Sequence, residues 1–190
     1  DACHTIFARL NRAVLEVKQV ASRESITIKV GPGFGSQWLS KRLTSFWQRF
    51  PETGLHLQYS PGAVEFSDGL TDLMVAWGDG DWPGLQSEPL LDFNVAPVVG
   101  VPLKQAYNMP ALPADLLKLP LLHWKDHSGW QEWFDAMNVK MDPYLPGVVI
   151  EDANTVLQAA QSGQGVALGI LPLIESELDS GQLFRLFDEN

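Results

Sequence analysis

The sequence has 190 residues, 45% of them hydrophobic, and a formal net charge of −10 at pH 7. This is enough chain for one domain or two small lobes, and so acidic a surface makes these residues on their own a poor candidate for binding DNA or RNA, because it repels phosphate. The longest apolar runs are about ten residues, too short to cross a bilayer as a helix. The first residues lack the apolar core of a signal peptide, and Cys3, the only cysteine, permits no internal disulfide, so the expected location is the cytoplasm.

The first 21 residues set Ile6, Leu10, Ala13, Val17 and Val20 at alternating steps of four and three, with polar residues between. That is an a/d seam. It fits an amphipathic helix lying on its own core, or a helix that pairs with a second chain. From Ser25 the pattern changes. "SITIKV" alternates as a strand, and "GPGFGS" leads into a helix with Leu39, Leu43, Phe46 and Phe50 on one face. Ser36 is the expected N-cap and Pro51 the stop. "LHLQY" alternates as a second strand, and "DLMVAW" is apolar throughout, as a strand covered on both faces would be.

A crossover near "LLDFNVAPVVG" leads to Pro-rich stretches around 102–120, which read as surface loops. Then come a strand, "LLHW", and a helix with Trp130, Trp133, Phe134 and Met137 on one stripe. The strand "GVVI" is followed by the helix "DANTVLQAAQSGQG", which ends at Gly163. The buried strand "VALGI", the helix "PLIESEL" and the strand "LFRLF" complete the order. Alternating strands and helices of this kind imply βαβ units and mostly parallel sheets.

Five stretches occur in one order: "FGSQWLSKRLTSFWQRFP", "GLTDLMVAWGDGDWPGL", "LPADLLKLPLLHW", "WQEWFDAM" and "VLQAAQSGQGVALGILPLIESELDSGQLFRLF". Together they resemble the effector-binding domain of LysR-type transcriptional regulators, in the branch that includes the glycine-cleavage activator. The resemblance implies a type 2 periplasmic-binding-protein fold, with two α/β lobes and a ligand cleft between them. Residues 1–23 would form a linker helix with its dimerisation seam at Ile6, Leu10, Ala13, Val17 and Val20. Residues 24–92 would form lobe I, 93–182 lobe II, and 183–190 a crossover back toward lobe I. DNA would be bound only through a winged helix-turn-helix domain, which these residues do not contain; nor do they contain the family's last strand and C-terminal helix. The implied protein is a homodimer or homotetramer, neither enzyme nor membrane protein, without cofactor. A solute-binding protein of a transporter is the alternative.

In open α/β sheets a ligand sits at the carboxyl ends of the strands, where helix N-termini favour a carboxylate or phosphate. The residues expected there are Ser36, Gln37 and Trp38, then Trp77 and Gly78, then Gly100. His123, Trp124, Asp152, Asn154, Thr155 and Gly169 follow in the second half. Ser36 and Thr155 should each aim a hydroxyl at the ligand, a small-molecule effector such as an amino acid or small carboxylate. In "WGDGDWPG", Asp79 and Asp81 match the start of a calcium loop, but Pro83 and Leu90 stand where ligands are needed, so no metal is expected. His123 and His127 lack a third ligand for zinc. "GPGFGS" departs from a dinucleotide fingerprint at Ser36. Ser36, His123 and Asp152 lack the G-x-S-x-G elbow of a hydrolase.

Overall fold

The computed structural model describes residues 2–21, 25–59, 66, 70–92, 94–142 and 146–187; for 2–5 and 18–21 it describes the backbone alone. The chain divides into two compact units, Asp1–Asp92 and Phe93–Asn190.

In the first unit, α1 (Ala2–Ala21) lies against β1 (Ser25–Val30). The alternation of β1 turns Ile26, Ile28 and Val30 inward, where they are almost wholly buried. β1 is the middle strand of a parallel sheet, between β2 (Gly54–Tyr59) and β3 (Leu73–Val75). Asp72 ties β3 to β1, since its Oδ2 accepts from the Thr27 amide at 2.9 Å and its own amide donates to the Thr27 carbonyl at 3.0 Å. β3 is shorter than the apolar run suggested, and its residues are half-buried rather than covered on both faces. The first helix also departs from expectation. It opens at Pro32, where proline suits the first turn, with the Gly35 amide donating to Gly31 O at 3.0 Å. It then runs as a π turn (Phe34–Leu39), a 3-10 turn (Ser40–Arg42) and α2 (Leu43–Arg49), ending before Pro51 as expected. Ser36 therefore sits inside the helix and is not its cap.

The α1 seam also differs from the expected pattern. Ile6, Leu10 and Val14 are buried, as is Asn11. Ala13 and Val17 are half-buried, and the Val20 side chain lies outside the described residues. The buried and half-buried side chains together form one broad stripe of an amphipathic helix.

In the second unit, β4 (Val95–Gly100) pairs antiparallel with β7 (Ala167–Ile170) and β8 (Leu183–Arg185), while β5 (Leu121–Trp124) and β6 (Gly147–Ile150) pair in parallel. α3 (Val101–Ala106) and a 3-10 helix (Pro113–Lys118) occupy the stretch expected to be loop. Each has proline in its first turn, where no amide is needed. α4 (Ser128–Ala136) buries Trp130, Trp133 and Phe134 against Leu116, Leu121 and Val166. The Trp130 indole N–H donates to the Leu122 carbonyl at 2.9 Å, which satisfies it inside the core. Met137 falls just past the helix and is exposed, because the chain turns at Asn138, whose φ is 56°. α5 (Ala153–Gln161) ends at Gly163, whose φ of 76° suits a residue without a Cβ. "PLIESEL" forms a 3-10 turn (Leu171–Leu173) and a short α6 (Glu175–Asp179).

Candidate functional site

The carboxyl ends of the parallel strands gather several of the expected residues, and each unit has its own set. In the first unit the β1 end leads to Ser36, Gln37 and Trp38. The Ser36 hydroxyl donates to Pro32 O at 2.8 Å, inside the helix, so its proton is used locally. Gln37 is half-buried. Trp38, expected at the ligand site, is fully buried and serves the core of its unit. Its ring stacks on Phe34 at 5.0 Å, meets Phe7 of α1 at 6.3 Å and carries the Arg42 guanidinium at 4.3 Å. The indole Nε1 has no hydrogen-bond partner among the described residues.

"WGDGDWPG" follows β3 as an exposed loop. Trp77 is 68% exposed, and Asp79 and Asp81 point to solvent. Gly78 and Gly80 hold φ values of 148° and 83°, and the Ser87 hydroxyl donates to Gly80 O. The glycines thus shape a tight turn that leaves the Trp77 side chain largely exposed.

In the second unit, Trp124 ends β5. Its indole N–H donates to Glu151 O at 3.0 Å, which fixes the ring beside the end of β6 while leaving it 44% exposed. Lys125 follows with φ 65° and its ammonium 4.8 Å from the Trp124 ring. Asp152 is the N-cap of α5: its carboxylate accepts from the Thr155 amide at 2.9 Å and from the Thr155 hydroxyl at 2.7 Å. The Thr155 hydroxyl and amide, with the Asn154 amide, hold the Asp152 pKa below its ordinary value. Thr155 is therefore the partner of the cap, and its proton, like that of Ser36, is already committed. Asn154 is half-buried beside it.

Three expected residues serve packing. His123 is fully buried, with Nδ1 3.0 Å from Nδ1 of His127. A Cβ on Gly100 would lie 2.3 Å from the Gln161 carbonyl, and one on Gly169 2.5 Å from Ile174, so both glycines mark close approach within the unit. Among the described residues no group of three or more His, Cys, Asp or Glu side chains could hold a metal ion, and no helix is long and apolar enough to cross a membrane. Sequence reasoning missed Lys125. Its signal was weak, because a lysine between a strand and a helix gives no sign of a left-handed backbone.

Comparison with known proteins supplies the context. Residues 20–190 match the family model for the LysR substrate binding domain. The chain is 29% identical over 184 residues to the glycine cleavage system transcriptional activator of Escherichia coli (strain K12), covering 97% of this chain and 60% of that protein. The chain therefore spans less than two thirds of the length of this relative. The effector domain of the transcriptional regulator AmpR of Pseudomonas aeruginosa superposes with a TM-score of 0.74 at 26% identity, over 87% of this chain and 80% of that one. The AmpR effector binding domain from Citrobacter freundii gives 0.75 at 25%, over 88% and 82%. These relatives are transcriptional regulators and not enzymes, and the architecture they share is the type 2 periplasmic-binding-protein-like fold. The chain belongs to the LysR substrate binding domain family.

Proposed function

We propose that these residues are the effector-sensing and oligomerisation part of a bacterial LysR-type transcriptional regulator, working in the cytoplasm. The match over residues 20–190, with effector domains among the structural relatives, carries this reading. Residues 1–23 serve as linker helix, 24–92 as lobe I, 93–182 as lobe II and 183–190 as a return toward lobe I. DNA is contacted through a winged helix-turn-helix domain outside these residues. A solute-binding protein of a transporter is disfavoured by the same relatives.

The ligand is a small molecule taken at strand ends, for which the candidate residues are Ser36, Gln37, Trp77 and Gly78 in the first unit and Trp124, Asp152, Asn154 and Thr155 in the second. The committed protons of Ser36 and Thr155 leave their oxygens as acceptors, and Asp152 adds a carboxylate, so these positions suit donor groups on the ligand. The helix that opens at Pro32 has no acidic residue in its first turn and suits an anion. An amino acid carries one group of each kind. An effector acts only if it binds two arrangements of the protein unequally, which then shifts their populations.

The test is calorimetric titration of the chain with glycine, larger amino acids and small carboxylates. Saturable binding to one class, weakened about tenfold by Asp152→Asn, is expected, since a lost charged hydrogen bond costs about 1.5–3 kcal/mol. Tight binding that Asp152→Asn and Trp124→Ala both leave untouched would displace the site from these strand ends.

A further inference from the structure

His123 and His127 meet in a way that the ligand-binding reading does not use. His123 is on β5, fully buried, and His127 is half-buried just before α4. Their rings stand edge to face at 4.2 Å, and the two Nδ1 atoms are 3.0 Å apart. One nitrogen must donate and the other accept, because two N–H groups or two bare nitrogens would repel. The other His123 nitrogen decides which. Nε2 has no partner among the described residues and packs on Gly147, where even a Cβ would lie 2.4 Å from it. A proton on Nε2 would be a buried donor with no acceptor, so the His123 proton belongs on Nδ1, donated to His127.

We propose that the neutral His123–His127 pair is a proton-operated switch that holds the 125–128 turn against the end of β5 through one Nδ1–H···Nδ1 bond and releases it when one further proton binds. That proton has two places to go. On His127 Nδ1 it would set N–H against N–H and break the bond. On His123 Nε2 it would put a charged donor against the Gly147 backbone. Burial, and then the neighbouring His127, lower the pKa of His123, in agreement with a pair that resists the proton. Nothing on the packed strands and helices offsets that charge from inside; the exposed carboxylate of Asp126, in the turn itself, attracts His127 from the solvent side. β6, β7 and α5 carry no titratable side chain, α4 carries only the exposed Glu132 and Asp135, and the turn itself holds Lys125 and Asp126. The carboxylate of Asp126 is bonded to the Ser128 amide at 2.8 Å. Glu151 and Asp152 follow β6 and are exposed. Because the folded pKa of His123 lies below its ordinary 6.5, the contribution of the pair is whole above that value and is lost as pH falls below it. The turn carries Lys125 and adjoins Trp124, so on the ligand-binding reading above the switch would tune effector affinity.

The experiment follows the ring nitrogens of the 190-residue chain by long-range proton–nitrogen NMR, together with hydrogen-exchange protection of amides 125–128. Between about pH 7.5 and about pH 5.5, protection corrected for intrinsic exchange should fall about tenfold or more in the native chain. His127→Leu should abolish that pH response. The His123 proton should sit on Nδ1 at the higher pH. A proton on Nε2, protection that stays flat with pH, or an unchanged response in His127→Leu would each overturn the switch. The native chain alone supplies the first two results, so the proposal stays testable if the variant misfolds. Titration with the same amino acids and small carboxylates at both pH values reads the effector separately: absence of binding by all of them at both pH values would count against the ligand reading, and the ring and exchange data would still decide the switch.

Discussion

Gly100 shows how a single missing methyl group supports the second unit. A Cβ there would sit 2.5 Å from the Ala160 carbonyl as well as 2.3 Å from that of Gln161, and neither can yield without moving α5. Gly100→Ala is expected to cost about 1–3 kcal/mol through overpacking. Gly31, with nothing within 4 Å of the position its Cβ would take, is the control, and Gly31→Ala should stay within about 0.5 kcal/mol. Urea unfolding of both variants measures the contrast. Asp152 contributes through its bonds to Thr155, and Asp152→Ala should lower stability by about 0.5–2 kcal/mol near neutrality. Its pKa lies below the ordinary 3.8, so that contribution is present above this value and is lost as pH falls through the folded pKa. The difference between native and Asp152→Ala chains, followed by denaturant unfolding, should therefore shrink in acid and remain constant from about pH 5 to 8.

The elements divide by how locally they are determined. β1 and β6 were legible because alternation, or a short β-branched run between turn residues, marks a strand locally. The stripe of α4 was legible because Trp130, Trp133 and Phe134 all turn to one core. The start of the first helix was not, because Pro32 between two glycines reads as a turn when it is in fact at the first helical position. The close seat of the helix on β2, where a Cβ on Gly35 would lie 2.6 Å from the Tyr59 ring, is a tertiary fact that no local signal carries. The same holds for the strand-end residues: Trp124 could be placed from the order of elements, whereas burial of Trp38 and His123 depended on neighbours distant in sequence. α1 shows the limit of a heptad pattern. Its Asn11 is 2% exposed with Oδ1 unpartnered among the described residues, within a face formed by Ile6, Leu10 and Val14. Replacing a buried, unsatisfied polar group with an apolar one of similar size is neutral or stabilising. Asn11→Leu is therefore expected to slow hydrogen exchange in α1 rather than to hasten it.

The whole molecule is acidic, and several of its exposed apolar side chains lie on or near edge strands. β2 is an edge strand with Tyr59 59% exposed, and Trp47 of α2 is 52% exposed; β6 carries Val148 and Val149 at 59% and 46%. Exposed apolar edges of this kind favour association, and a second copy is the partner we propose. Deleting α1 would be a poor test, because Ile6, Leu10 and Val14 are buried and their loss would expose core surface. Trp47→Glu and Val149→Lys are better probes, since each alters a side chain that is exposed in the single chain. Light scattering at micromolar concentration should show at least a dimer for the native chain and a smaller species for either variant, with unfolding midpoints little changed, as surface substitutions usually leave stability within about 0.5 kcal/mol. A monomeric native chain would sink the oligomer. An oligomer unaffected by both substitutions would put the interface elsewhere and return attention to the exposed side of α1, where Leu15 is 39% exposed.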